Sequence, residues 1–340
     1  MQILVTGGGG FLGTYIIREL LKRPHYIITN FSRHNYAHLE DLGVPTIKGD
    51  LKNKADIDRA LSQSEFDAII HVAALTENWG RHRDFLDVNY FGTKSLIDSA
   101  KERGVKKFIY TCCSSVVFDK DALLGVNELQ PYPSEFLSSF VESKAMAERY
   151  VLQMNDGKDF LTCSLRPGLL WGPGDEKFLP TIVSKAREGK IKIIGDGENL
   201  ADILYVENAS LAHVKALEAL NEGSKLCGES YFLGQEKPVR FWDFINRILS
   251  HYKIDPLNRY IDFRSAYRLG WFFEKSFQMA GIQRPYPPIT RFGAIKWGIS
   301  NYFSHEKARK DFNFTELIST DEGLKRTFAL RDKVNLSLSQ

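Results

Sequence analysis

Apolar positions in the first half of the chain follow two alternating periods. Short runs rich in β-branched residues at Gln2–Thr6, Tyr26–Asn30, Asp67–Ala73, Lys107–Cys113 and Leu161–Arg166 read as strands. Between them, Leu12–Lys22, Ala55–Ser62, Asp84–Arg103 and Ser138–Met154 carry apolar residues at helical spacing. Strands that alternate with helices pair in parallel, with the crossover helices covering both faces of the sheet. The pattern therefore predicts an α/β chain with a doubly wound parallel sheet. After Pro167 the alternation fades into loops and isolated helices, broken at Gly172-Pro173-Gly174 and Tyr286-Pro287-Pro288. We expect one domain over residues 1–166 and a smaller C-terminal substrate lobe over residues 167–340, interleaved with the first.

Composition narrows the class. A chain of 340 residues, 43% hydrophobic and 26% charged, matches soluble globular proteins and buries a core without needing disulfides. Its 45 basic and 42 acidic residues are interspersed, so no basic block offers a footprint for nucleic acid. Cys112, Cys113, Cys163 and Cys227 lack metal-ligand spacing, and the adjacent pair falls in a strand-like run whose successive side chains point opposite ways. Reduced thiols and no metal site are expected. The first strand follows Met1 directly, leaving no space for a leader, and no run of about 18 apolar residues marks a membrane span. The expected compartment is the cytoplasm.

Thr6-Gly7-Gly8-Gly9-Gly10-Phe11-Leu12-Gly13 follows a strand and opens a helix. That is the context in which a glycine-rich turn binds a dinucleotide. Gly7 permits the tight turn, Gly10 the approach of backbone N–H groups to a pyrophosphate, and Gly13 close helix–strand packing, with Phe11 and Leu12 between them. The sheet is accordingly expected to be of the Rossmann type. At the end of the second strand, Asn30-Phe31-Ser32-Arg33-His34 contains no acid. An adenosine ribose 2′-OH usually meets a carboxylate here, whereas a 2′-phosphate needs a cation. Ser32 and Arg33 therefore favour NADP(H) over NAD(H).

The Gly-x-x-Gly-x-x-Gly spacing resembles the extended short-chain dehydrogenase/reductase superfamily. So do Gly49-Asp50-Leu51, His71-Val72-Ala73-Ala74, Asn89 within Val88-Asn89-Tyr90-Phe91-Gly92-Thr93, and Arg166-Pro167 before Trp171-Gly172-Pro173-Gly174-Asp175, in that order along the chain. The resemblance implies that Asp50 and Leu51 edge the adenine, that Ala73 and Ala74 lie by the phosphates and ribose, and that Pro167 lies by the nicotinamide, with Asn89 also at the cofactor. Reductases of this superfamily use a Tyr and a Lys four residues later on a helix, with a Ser or Thr at the end of strand five. The Lys lowers the pKa of the phenol and holds the ribose, and the Tyr exchanges a proton with the substrate oxygen as hydride moves.

Here Ser139-Phe140-Val141-Glu142-Ser143-Lys144 aligns Lys144 but places Phe140 where the Tyr belongs. Tyr110-Thr111-Cys112-Cys113-Ser114-Ser115 places Cys113 at the hydroxyl position, with Ser114 beside it. Phe140 fits three accounts: a Tyr→Phe exchange made to trap a complex, a natural cofactor-binding regulatory protein without reductase chemistry, or an enzyme that recruits Cys113, Ser114, Lys144 or a water as proton relay.

Within the superfamily, Val116-Val117-Phe118-Asp119, Tyr132-Pro133, Leu169-Leu170-Trp171-Gly172-Pro173-Gly174-Asp175, Gly195-Asp196-Gly197 and Phe244-Ile245-Asn246-Arg247 are similar to bacterial 3β-hydroxysteroid dehydrogenase-like proteins and to 2-alkyl-3-oxoalkanoate reductases of olefin biosynthesis. That likeness implies hydroxyl–keto interconversion on a large apolar substrate, a β-keto or β-hydroxy lipid or a steroid-like molecule. A sugar-nucleotide epimerase or dehydratase is the rival, supported by Lys177, Arg187, Lys190 and Lys192. Phe263–Gly281 interleaves Tyr267, Leu269, Trp271, Phe272, Phe273, Phe277 and Met279 with charges. It reads as an amphipathic helix that packs the lobe, covers the substrate or touches a membrane surface. A homodimer is the expected assembly.

Overall fold

The computed structural model describes residues 1–337, with side chains through Ala329. Its centre is a sheet of seven strands: β1 (Gln2–Thr6), β2 (Ile27–Ser32), β3 (Thr46–Lys48), β4 (Ala68–His71), β5 (Lys107–Thr111), β6 (Leu161–Pro167) and β7 (Glu229–Leu233). They lie in the order β7-β6-β5-β4-β1-β2-β3, every neighbouring pair parallel. The doubly wound α/β expectation is met. Alternation along β1 shows why both faces are covered. Ile3 and Val5 join the core of α1 (Phe11–Leu20), whereas Leu4 points into the opposite core with Ile57 of α2 (Lys54–Ser62) and Leu96 of α3 (Gly92–Glu102). Val141 and Ala145 of α4 (Ser139–Gln153) pack on that second face, and Val214 and Leu217 of α5 (Val206–Ala219) on the first.

Three departures bear on function. The helix expected over Asp84–Arg103 is broken: His82–Phe85 leads into a π-helical stretch, Leu86–Phe91, before α3. That wider turn carries Asn89, in keeping with the tendency of π-bulges to mark functional positions. Strand β7 lies well past Pro167, in a stretch without clear alternation, and is buried by docking beside β6. Leu123–Val126 pairs in turn with Asn301–Phe303 in a four-stranded sheet completed by Leu200–Ala201 and Val239–Arg240.

The third departure is α6 (Phe263–Met279). It is helical as expected, but the residues it buries are Ala266, Gly270 and Glu274, while Leu269, Trp271, Phe272 and Met279 are exposed. Small size decides this face. A Cβ on Gly270 would stand 2.5 Å from the Arg291 backbone N at the start of α7 (Arg291–Gly298). Glu274 completes the joint by accepting from the Arg291 N–H at 2.6 Å and from its Nε at 2.7 Å. The anion thus sits at the N-terminal, positive end of α7.

Strand order reverses between β1 and β4, and the carboxyl ends of the strands open a crevice there. Gly7 follows β1 and Val72–Ala74 follow β4 at this crevice.

Candidate active site

The turn after β1 is built by steric exclusion. Gly7 has φ of 71°, and a Cβ on it would lie 2.8 Å from Ala73 Cα. A Cβ on Gly13 would stand 2.2 Å from the Gly7 carbonyl oxygen. Gly10 differs: its backbone is extended, at φ −82° and ψ 175°, and its Cβ would meet only the Gly7 oxygen, at 3.4 Å. Two glycines therefore shape the turn while the third leaves clear space over the N-terminus of α1, where free N–H groups favour a phosphate. The arrangement fits a dinucleotide pyrophosphate. Asn30 locks the turn to β2: its Oδ1 accepts from Gly8 N at 2.9 Å, and its Nδ2 donates to Ser32 Oγ and Thr46 Oγ1. The sequence signal for Asn30 was a polar residue inside a strand run.

A buried chain of hydrogen bonds holds the β4 side of the crevice. Thr93 Oγ1 donates to the Asn89 carbonyl at 2.6 Å, so it accepts from His71 Nε2 at 2.8 Å. His71 Nδ1 then accepts from Thr6 Oγ1 at 2.6 Å, and Thr6 Oγ1 accepts from the Val72 and Ala73 N–H groups at 3.2 Å. This pattern assigns a neutral imidazole protonated on Nε2. Burial, reinforced by the Lys144 charge, pulls the His71 pKa down to about 3. Sequence reading took His71 only as part of a motif.

One cavity of about 910 Å³ joins the glycine turn to the carboxyl ends of β5 and β6. Gly7, Gly10, Phe11, Leu12, Gly13, Ser32, Arg33, Asp50, Leu51, Ala73, Ala74, Cys113, Ser114, Phe140, Lys144 and Pro167 all line it. Asn89 does not. It lies behind the wall, 1% exposed, accepting from Leu75 N at 2.7 Å and donating to the Leu75 carbonyl and Ser143 Oγ. Its place is that of a clamp on the β4 loop. Arg33 is exposed at the rim and makes no ion pair or hydrogen bond among the described residues. Ser32 Oγ donates to the His34 carbonyl, and Asp50 Oδ1 accepts from Lys52 N.

At the other end, α4 sets Phe140 and Lys144 one turn apart. Lys144 is 3% exposed; its Nζ donates to the Thr111 carbonyl at 2.6 Å and lies 4.2 Å from the centre of the Tyr110 ring. Burial lowers its pKa, against the opposing pull of Cys112, Cys113 and Glu148. Thr111 is fixed in turn: its Oγ1 donates to His213 Nε2 at 2.9 Å, and His213 Nδ1 donates to the Ala209 carbonyl at 2.7 Å. Cys113 Sγ accepts from Ser115 Oγ at 3.1 Å. Hydrogen bonding with Cys112 and the charges of Lys144 and Lys296 hold the Cys113 thiol below its ordinary range, although burial opposes them. Phe140 presents only carbon and is half-buried among core aromatics.

Beneath this floor, Glu148 accepts from Ser164 Oγ, Tyr132 OH and Arg166 Nε and Nη2, all within 2.6–2.9 Å at their shortest. Both members of the pair are buried. Such a pair keeps its charge because the carboxylate is hydrogen-bonded on both oxygens, while Arg166 Nη1 stays buried without a partner among the described residues.

The remaining wall of this cavity carries no signal of its own in the sequence. Phe118, Leu169, Leu170, Phe178, Ala201 and Trp297 make it largely apolar, and Lys296 enters from α7. Lys177 also lines the cavity but is engaged by Thr76 Oγ1 and Glu77. Arg187, Lys190 and Lys192 are exposed and lie outside its lining.

A dinucleotide cradle at the switch point, continuous with a chamber where a helix Lys meets the end of strand five, defines an NAD(P)-dependent oxidoreductase of the extended short-chain type. The chain belongs to the 3-beta hydroxysteroid dehydrogenase/isomerase family, whose model matches residues 4–263. It is 36% identical over 329 residues to a 2-alkyl-3-oxoalkanoate reductase of Stenotrophomonas maltophilia, covering 96% of this chain and 98% of that protein. It is 33% identical over 326 residues to the decarboxylating sterol-4-alpha-carboxylate 3-dehydrogenase of Mus musculus, covering 95% and 89%. Among solved structures, the Thermus thermophilus UDP-glucose 4-epimerase in complex with NAD superposes with a TM-score of 0.74 over 97% of this chain and 98% of that one. At 19% identity, that likeness shows the fold alone.

Proposed function

We propose that this protein is an NADP(H)-linked oxidoreductase scaffold for a β-keto or β-hydroxy lipid, or a steroid-like molecule, in which Phe140 has removed the proton donor. The observation that carries the reading is the single cavity that runs from the glycine turn past Lys144 and Phe140 into an apolar chamber. In this reading, residues 1–166 hold the dinucleotide and residues 167–340 supply the wall that faces it, through Phe178 and Trp297. The N-terminus of α1 takes the pyrophosphate, Arg33 the 2′-phosphate, and Lys144 the nicotinamide ribose. NADPH supplies the hydride when bound.

The chain's own contribution is orientation and proton management. Thr111, held by His213, fixes the direction of the Lys144 ammonium. Phe140 holds no proton to give, and the Cys113 thiol is a weak hydrogen-bond donor where a hydroxyl would orient the substrate oxygen. A rate far below that of a Tyr-bearing site follows. The same two residues support the alternative of a regulatory protein that binds NADP(H) without turnover. The sugar-nucleotide reading loses support, since Arg187, Lys190 and Lys192 stand outside the cavity and Lys177 is paired.

The test is titration calorimetry with NADPH, followed by mass spectrometry of mixtures with a 2-alkyl-3-oxo acid or a 3-ketosteroid, using the protein and Phe140→Tyr. Cofactor binding with hydroxy product from the variant supports the reading. Binding without product from either protein, with a ligand shown to occupy the chamber, supports the regulatory alternative.

A further inference from the structure

Lys296 is held in place from several sides. It projects from α7, whose start is fixed by the buried Glu274 carboxylate on Arg291 and by Thr290, whose Oγ1 accepts from Gly293 N at 2.9 Å. Ala294 and Ile295, just before it, are buried. The Trp297 ring, stacked on Phe241 with centroids 4.7 Å apart, lies under the ammonium at 4.5 Å. Yet among the described residues Lys296 makes no salt bridge and no hydrogen bond, while lining the same cavity as Cys113 and Phe140.

The other cations of the lining have work elsewhere. Arg18 lies over Tyr15, Arg33 is at the adenosine end, Lys144 donates to Thr111, and Lys177 to Thr76 and Glu77. Of the acids that line the same cavity, Asp202 turns its Oδ2 to His305 Nε2 at 3.0 Å and to Phe303 N at 2.9 Å, and its buried Oδ1 has no partner among the described residues. A half-buried ammonium without an ion-pair partner in a largely apolar chamber is costly unless a ligand anion completes it. Its pKa is lowered, chiefly because burial disfavours the charge.

We infer that Lys296 is the carboxylate anchor of the substrate chamber, so that the ligand is a free 3-oxo or 3-hydroxy acid rather than a neutral ketone or a thioester. This rests on the oxidoreductase reading above and adds the substrate's charge. The geometry suits a β-substituted acid. Lys296 is near enough to Cys113 for its charge to act on the thiol. In this assignment a molecule whose oxygen at C3 sits against Cys113 and Phe140 carries its carboxylate two bonds away, in the cavity that Lys296 also lines. The alkyl chains then lie along Phe118, Phe178 and Trp297.

Binding tests this without turnover, so a protein unable to reduce its ligand still answers. Trp297, beside Lys296, reports by fluorescence. In the presence of saturating NADP, a medium-chain 2-alkyl-3-hydroxyalkanoic acid should quench it with a lower Kd than the methyl ester of the same acid. Lys296→Met should raise the Kd of the acid about 10- to 100-fold, while leaving that of the ester and of NADPH unchanged. Lys296→Arg should restore most of the loss. Equal weakening of acid and ester, or an acid Kd untouched in Lys296→Met, overturns the carboxylate assignment alone. If neither acid nor ester binds the wild-type complex, the assignment and the lipid reading both fall.

Discussion

Phe140 and Lys144 stand one turn apart on the same helix and border the same cavity, yet only Lys144 carries a proton. Its ammonium is held by the Thr111 carbonyl at 2.6 Å, within a floor made rigid by His213 and by the Glu148–Arg166 pair. In the proposed reading, these are the surroundings of a proton-transfer site around a residue that has no proton to transfer. Predictions about the cofactor, the supporting network and the missing acid can be separated.

The cofactor cradle is tested by two glycines with opposite geometry. Gly10→Ala is compatible with the backbone and meets only the Gly7 oxygen, so stability should change by no more than about 1 kcal/mol. NADPH affinity should nevertheless fall at least about tenfold, because the methyl enters the phosphate space. Gly13→Ala drives a methyl into the Gly7 carbonyl and should cost about 1–3 kcal/mol of stability. Calorimetric titration paired with urea denaturation distinguishes the two outcomes.

Arg33 decides between dinucleotides. NADPH should bind more tightly than NADH, and Arg33→Ala should weaken NADPH by about tenfold with little effect on NADH, as expected for one charge-assisted contact. Equal affinity for both dinucleotides in the unaltered protein contradicts the assignment.

Much of this was legible in the chain. The glycine turn and β1, β2, β4, β5 and β6 are marked by periodicity and motif order, because local backbone rules govern them, whereas the three-residue β3 is too short for its alternation to show. The motif marks Asn89, but a π-turn, which leaves no trace in apolar spacing, carries it behind the wall of the cavity. Which face of α6 is buried is not readable from the helix alone, because contact with α7 selects Ala266 and Gly270 by size. Lys296 is not visible for the same reason, since the cavity it shares with Cys113 joins residues far apart in sequence.

Stability should depend on pH through two histidines. Burial holds His71 and His213 neutral, lowering them from 6.5 to about 3 and about 4. The unfolded chain takes a proton on each near its ordinary pKa and the folded chain does not, so Tm should fall as pH drops from about 6.5 toward 4. Glu148 adds to the loss lower down. Although burial opposes its charge, Arg166, Ser164 and Tyr132 hold its pKa below the usual carboxylate value, so its stabilisation is present above that value and lost as pH falls through the folded one. His213→Gln should flatten the upper part of the Tm profile; an unchanged slope would remove His213 from this account.

Breaking the buried pair should be severe at neutral pH. Glu148→Gln leaves the Arg166 guanidinium uncompensated and should cost about 3–5 kcal/mol in urea unfolding. A loss below about 1 kcal/mol would mean that the pair is not buried as described.

The central claim is that Phe140 withholds the acid from a site whose cofactor cradle and Lys144 are in place, and single-turnover oxidation of NADPH by Phe140→Tyr measures it most directly. With 2-alkyl-3-oxo acids, their thioesters and 3-ketosteroids as substrates, the variant should oxidise NADPH about 10²–10⁴-fold faster than the unaltered protein, the usual worth of a positioned general acid. NADPH affinity should stay unchanged, and adding Cys113→Ser should raise the rate further. No acceleration in either folded, cofactor-binding variant, with a ligand shown to occupy the chamber, would contradict the account.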